Sequence, residues 1–240
     1  MDMITDKILE NICVGTSPCH LGLCKKNNLL YVTNYDSDTI SGIDLQKNMV
    51  AVQIPTNRMP HDMKVSKDGR NLYVSGIGSN DILVINTENN NVCSKIDLGC
   101  SAIHFKISKY NNYLYASCSK FNCDNKGMIC ILDLNENKLL ESYKIGMYLS
   151  DIALKEKEEQ LFVIDAETNY IYKIDINNGK LLGKAETGMF PSCIGIDEER
   201  NVAIISTHID NTVEIFDLED LKLVQRLQIG KDLNYISTLL

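Results

Sequence analysis

Asn71-Leu72-Tyr73-Val74-Ser75, followed by the turn Gly78-Ser79-Asn80-Asp81 and then Ile82-Leu83-Val84-Ile85, is a pair of short apolar runs joined by a tight turn. Its core triplet recurs 42 residues to either side, as Leu30-Tyr31-Val32 and Leu114-Tyr115-Ala116. Looser copies follow as Leu161-Phe162-Val163 and Ala203-Ile204-Ile205. Thirteen residues after the central member comes an acid or its amide, Asp44, Asn86, Asp175 and Asp217, while Asp133 follows five extra residues. A further thirteen lead to Gly99, Gly146, Gly188 and Gly230, with Asn57 standing in once. Short apolar runs repeated at this period predict one four-stranded antiparallel unit per repeat. One such unit cannot cover both its faces, so units must stack about an axis.

Within one unit the strands are designated A to D. Met63 and Val65 alternate with Lys64 and Ser66 in A, Lys67-Asp68-Gly69-Arg70 turns the chain, and Leu72 to Ser75 forms B. Ile82 to Ile85 forms C, Thr87 to Asn91 turns again, and Val92 to Leu98 forms D. Continuous apolar runs in B and C predict strands covered on both faces. The expected architecture is an all-β propeller in a single domain, with blades at 15–56, 57–98, 99–145, 146–187 and 188–229. An outer strand at 2–14 and an inner strand at 230–240 form a partial closing blade that removes the exposed edges. The alternative is that a second chain completes this blade, giving a strand-sharing dimer rather than a monomer.

Composition narrows the function classes. The formal net charge is −8, with Lys and Arg scattered, which argues against nucleic acid and anionic membrane as partners. No apolar stretch approaches the roughly 20 residues that span a bilayer. Met1-Asp2-Met3-Ile4-Thr5-Asp6-Lys7 lacks the layout of a secretory signal, and nine cysteines match no disulfide scaffold. The expectation is a cytoplasmic protein with free thiols, in which Cys24, Cys93 and Cys130 pack within strands as small hydrophobes.

Leu30-Tyr31-Val32-Thr33-Asn34 and Thr39-Ile40-Ser41-Gly42-Ile43-Asp44 resemble the YVTN β-propeller repeat family. Pro18, Pro60, Pro191, Asp68-Gly69, Thr212-Val213-Glu214-Ile215-Phe216-Asp217 and Val14-Gly15 extend the likeness over nearly the whole chain. The resemblance implies blades around a central channel. For activity it spans surface-layer, haem-binding and lactone-hydrolysing relatives. Two departures stand out: many relatives are exported, and such propellers usually carry seven or more blades.

In a four-stranded blade the D–A and B–C connections share one end. The fifth residue after the repeat glycine is His20, Asp62, His104, Asp151, Cys193 and Tyr235 in turn, with Cys19 and His61 one place earlier. These are expected to gather at the channel mouth, and His208 maps to the same end. No cofactor is expected; His, Asp and Cys are the side chains that ligate transition metals, so a transition metal at this mouth is the minor alternative. The blade 3 insertion, Ser119 to Lys126, adds a local set of Cys100, His104, Cys118 and Cys123. The competing reading is an Asn-rich loop with an incidental thiol. There is no phosphate loop, nucleophile elbow or HExxH motif. The Asp at the end of each C strand reads as turn chemistry. The favoured function is therefore a non-enzymatic propeller that binds a protein or small ligand on the D–A and B–C face, through His20, His61, Asp62, His104, Asp151, Cys193 and Tyr235. The alternatives are a metal- or cofactor-dependent enzyme at the channel mouth and an assembly protein.

Overall fold

The computed structural model describes residues 5, 7–119 and 126–230. Blade 1 holds β1 (Pro18–Cys24), β2 (Leu29–Asn34), β3 (Thr39–Asp44) and β4 (Met49–Pro55). Blade 2 holds β5 (Pro60–Val65), β6 (Asn71–Gly76), β7 (Asp81–Asn86) and β8 (Asn91–Asp97). Blade 3 holds β9 (Ser101–Ile107), β10 (Tyr113–Ser119), β11 (Met128–Asp133) and β12 (Lys138–Lys144). Blade 4 holds β13 (Leu149–Lys155), β14 (Gln160–Asp165), β15 (Tyr170–Asp175) and β16 (Leu181–Glu186). Blade 5 holds β17 (Pro191–Asp197), β18 (Val202–Thr207), β19 (Thr212–Asp217) and β20 (Leu223–Gln228). Each is a separate four-stranded sheet in which only consecutive strands pair. No helix among the described residues is long and apolar enough to cross a membrane.

Pro60, expected in the turn before A, opens β5. Proline is tolerated there because a strand's first residue can forgo its N–H. Residues 7–14 carry no strand, and the partner expected for them, at 230–240, lies outside the described residues from 231 onward.

The C–D turns explain the repeated acid. Oδ1 of Asp44, Asn86, Asp133, Asp175 and Asp217 accepts the N–H two residues on, at 2.7–2.9 Å. The fourth residue after each is left-handed: Asn48, Asn90, Asn137, Gly179 and Leu221, with φ between 49° and 66°. An Asx turn closed by a left-handed residue is the reason for that spacing. For Asp44, the Gln46 N–H holds the carboxyl below its ordinary range despite slight desolvation, with Lys47 adding to the effect.

The blades divide into two compact units, Met1–Ser101 and Ala102–Leu240. In the first, Met63 of β5 packs with Tyr31, Leu72 and Ile40 in a core shared by blades 1 and 2. Gly22 of β1 makes that approach feasible, since a Cβ there would lie 2.7 Å from Met63 Sδ. In the second, one cluster around Leu149, Ile152 and Val163 joins blades 3 and 4. Another, around Phe162, Ile205 and Phe216, joins blades 4 and 5. Each large apolar side chain so buried contributes about 1.5–3 kcal/mol.

Candidate functional site

The start of strand A is irregular wherever its pairing with B is described. The register shifts between Pro18 and Leu21, Pro60 and Met63, Leu149 and Asp151, and Pro191 and Cys193. Such bulges re-aim side chains and leave backbone groups without ladder partners. Buried hydroxyls two residues after the central residue of the B triplet compensate. Thr33 Oγ1 accepts from His20 N (3.0 Å), Ser75 Oγ from Asp62 N (2.9 Å) and Ser117 Oγ from His104 N (3.3 Å). Ser206 meets Ser192 at 2.9 Å. Thr33 also donates to His61 O (2.8 Å), and Ser150 to Pro191 O (2.6 Å), tying blade 1 to blade 2 and blade 4 to blade 5. Sequence reasoning missed these residues, although Thr33, Ser75, Ser117 and Ser206 recur in register.

In the first unit, His20 and His61 are partly buried and stand edge to face, with centroids 4.8 Å apart. Tyr35 lies 6.2 Å from His61, also edge on. Asp62 is fully buried. Its Oδ1 accepts from Met63 N (2.8 Å) and Lys64 Nζ (2.5 Å), with His20 Nδ1 at 3.7 Å. That last distance is an ion-pair contact longer than a hydrogen bond.

The second unit repeats the acid and the next-residue N–H that it accepts, with a lysine from another strand. Asp151 is buried; Oδ1 accepts from Ile152 N (2.8 Å) and Oδ2 from Ile194 N of β17 (3.0 Å). Lys106 Nζ lies 3.7 Å away. Burial pushes the Asp151 carboxyl up, but Lys106, His104 and the two N–H donors outweigh it and hold it below the ordinary range. Cys193 is buried. Asp62, Asp151 and Cys193 are buried, and both carboxylates accept hydrogen bonds from donors of the chain itself. His20, His61 and His104 keep partial exposure. Tyr235 lies outside the described residues.

Of the expected thiol-rich set, Cys100 and Cys118 are buried and Cys123 lies outside the described residues. Cys118 has a neighbour that sequence reasoning assigned to packing alone: Cys130 on β11, with the two sulfurs within 4.8 Å. Cys24 and Cys130 are buried as expected, whereas Cys93 is exposed because β8 is an outer strand. None of the eight described cysteines forms a disulfide.

The D–A and B–C end of the second unit also carries a cluster that the register argument did not find. Met147, Met189, Phe190 and Ile209 are 36%, 51%, 41% and 53% exposed. Phe190 has φ 57°, a left-handed conformation unusual for an aromatic residue. It is held there by Asn169 Oδ1 on its own N–H (2.8 Å) and by the His208 N–H on its carbonyl (2.9 Å). Asp210 Oδ2 accepts from Met189 N (2.6 Å). The Phe190 ring stacks 6.4 Å from Tyr148 and lies 6.2 Å from His208. The loops are therefore pre-shaped, with their apolar side chains turned to solvent.

No protein-family model matches the sequence, and no curated protein matches it. Among solved structures, Kuenenia stuttgartiensis hydrazine synthase aligns at a TM-score of 0.78 with 20% identity, over 90% of this chain and 69% of that one. The β-propeller domain of Myceliophteria thermophila Cps50 (Swd1) aligns at 0.69 with 14% identity, over 88% and 68%. The computationally designed Ika8 protein aligns at 0.68 with 12% identity, over 89% and 62%. At these identities the likeness concerns fold alone, and the fold is a β-propeller.

Proposed function

We propose that this chain is a non-enzymatic, cytoplasmic propeller of the YVTN-like kind that receives a protein partner on its D–A and B–C end. The observation that carries the reading is the apolar cluster of Met147, Met189, Phe190 and Ile209 on backbone held by Asn169 and Asp210. Pre-shaped loops lower the ordering cost of association, and clustered exposed apolar side chains mark interaction surfaces. The buried acids of that end support binding over catalysis, since Asp62 and Asp151 are already engaged. Capture of partners by wild-type protein, compared with Phe190→Asp and Met189→Asp, tests this. A partner should be lost in both variants and kept in Val224→Asp, which alters the exposed outer strand β20. A partner retained equally by all three sinks the proposal.

A second reading rests on His20 and His61, whose ring nitrogens lie within 4.8 Å. An imidazole pair can begin a transition-metal site, as a metal-dependent enzyme requires. Metal analysis of protein purified anaerobically without chelator decides it. Less than about a tenth of an equivalent of any transition metal would rule it out, given the affinities such sites reach.

A further inference from the structure

At the other end of the second unit, the A–B turns of blades 3 and 4 and the C–D turn of blade 4 surround a cavity of about 650 Å³. That volume suits a small organic molecule. Tyr110, Tyr113, Tyr115, Glu141, Glu156 and Glu159 line it, and Lys157 is the single cation of its lining. Tyr115 is buried, whereas Tyr110 is 66% exposed.

The carboxylates are held in place by neutral donors. Glu156 accepts from Lys109 N (2.7 Å) and from the Ser108 hydroxyl. Glu159 accepts from Asn177 Nδ2 (2.8 Å), and Glu141 from the Tyr143 hydroxyl. Those bonds orient the three groups without cancelling their charge.

The first unit shows what chemistry such a groove takes. Between blades 1 and 2 the same turns meet, and Lys26 Nζ lies 2.7 Å from Glu88 Oε1. Lys26 stands five residues before the strand-B tyrosine, Tyr31; the residue five before Tyr115 is Tyr110. The second unit therefore replaces an internal ammonium with an aromatic ring and leaves a cavity with three carboxylates.

We propose that this cavity binds an organic cation, a primary or methylated ammonium on a short apolar stem. The ammonium sits among Glu141, Glu156 and Glu159 and against the tyrosine faces, where cation–π attraction adds to charge. The stem lies along Leu140 and Ile176. This site goes beyond the partner surface proposed above and lies at the opposite loop end of its blades.

Titration calorimetry tests it in two arms, spermidine for a free amine and a capped Ala-Lys-Ala peptide for a lysine side chain. At least one should bind, more weakly as salt rises, and its acetylated counterpart should not. Glu141→Gln with Glu159→Gln should weaken binding about tenfold. Tyr110→Lys supplies an ammonium as the first unit does, and should abolish binding with an unchanged melting curve. Failure of both amines to bind at about 10 mM, a concentration that detects even very weak complexes, overturns the proposal. So does unchanged binding by a folded Tyr110→Lys protein.

Discussion

In the groove between blades 1 and 2, the chain's own side chains complete the contacts. Lys26 pairs with Glu88, Asn27 donates its amide to the Thr87 carbonyl, and the Tyr31 hydroxyl donates to Asn90 Oδ1 at 2.6 Å. Between blades 3 and 4, Tyr110 replaces Lys26 and Asn177 occupies the register position of Glu88, beside a cavity of about 650 Å³. At the other loop end the two units differ in where the lysine comes from. Asp62 draws its lysine from its own strand, while Asp151 takes Lys106 from the preceding blade and an N–H from the following one. The same repeat can thus take its lysine from its own strand or from the preceding blade, without changing the strands.

The largest effect should come from the acid that bridges blades. Asp151→Ala leaves the buried Ile194 N–H without its acceptor and takes one carboxylate away from Lys106, and should cost about 3 kcal/mol in urea unfolding, as expected when one member of a buried charge cluster is removed. Its pH dependence has a definite sign. The folded carboxyl lies below its unfolded value, so the stabilisation is complete above about pH 4 and is lost as pH falls through the lower folded value. Wild type should therefore lose more stability than Asp151→Asn as acid is added across that window. Equal acid sensitivity in both proteins would contradict a depressed Asp151.

A smaller test addresses the tyrosines. Burial, with a small contribution from Cys24, pushes the Tyr31 phenol up to about 12, keeping it neutral as the donor to Asn90. Tyr31→Phe should cost about 1 kcal/mol, the net value of such a bond. Tyr115→Phe removes a bond to the Asn111 side chain at the rim of the open groove and should cost less than that. Matching losses in chemical denaturation would show the grooves to be equally closed.

The smallest effect belongs to Lys26→Tyr, which gives the first unit the second unit's ring. Both partners of the pair are well exposed, so the cost should be about 0.5 kcal/mol or less. A weak new response to spermidine in this variant would sharpen the comparison; a loss above about 2 kcal/mol would mean that the pair is structural in a way that its exposure does not suggest.

The strand order and the Asx turns were legible because they rest on short-range chemistry, as at Asp44, Asp133 and Asp217. Alignment by period also located the A-strand residues that become His20, Asp62, His104 and Asp151. It could not show that both acids turn inward, because burial depends on the bulge and on the adjacent blade. The hydroxyl series Thr33, Ser75, Ser117 and Ser206 was visible in register but reads as ordinary strand polarity until its bulge partner is known. Tyr110 was overlooked for a related reason: alone it is an exposed turn residue, and only beside Lys26 does its position acquire chemical meaning.

Among the described residues, every sheet pairs only strands that are consecutive in the chain. In folding terms, each blade's hydrogen-bond ladder needs only sequence-near segments, and such local pairing lowers the entropy of loop closure. A nascent blade can thus complete its ladder while the next is being synthesised. Its exposed B and C faces then wait for a neighbour, and the interval before that neighbour arrives is when a stalled chain is most prone to aggregate.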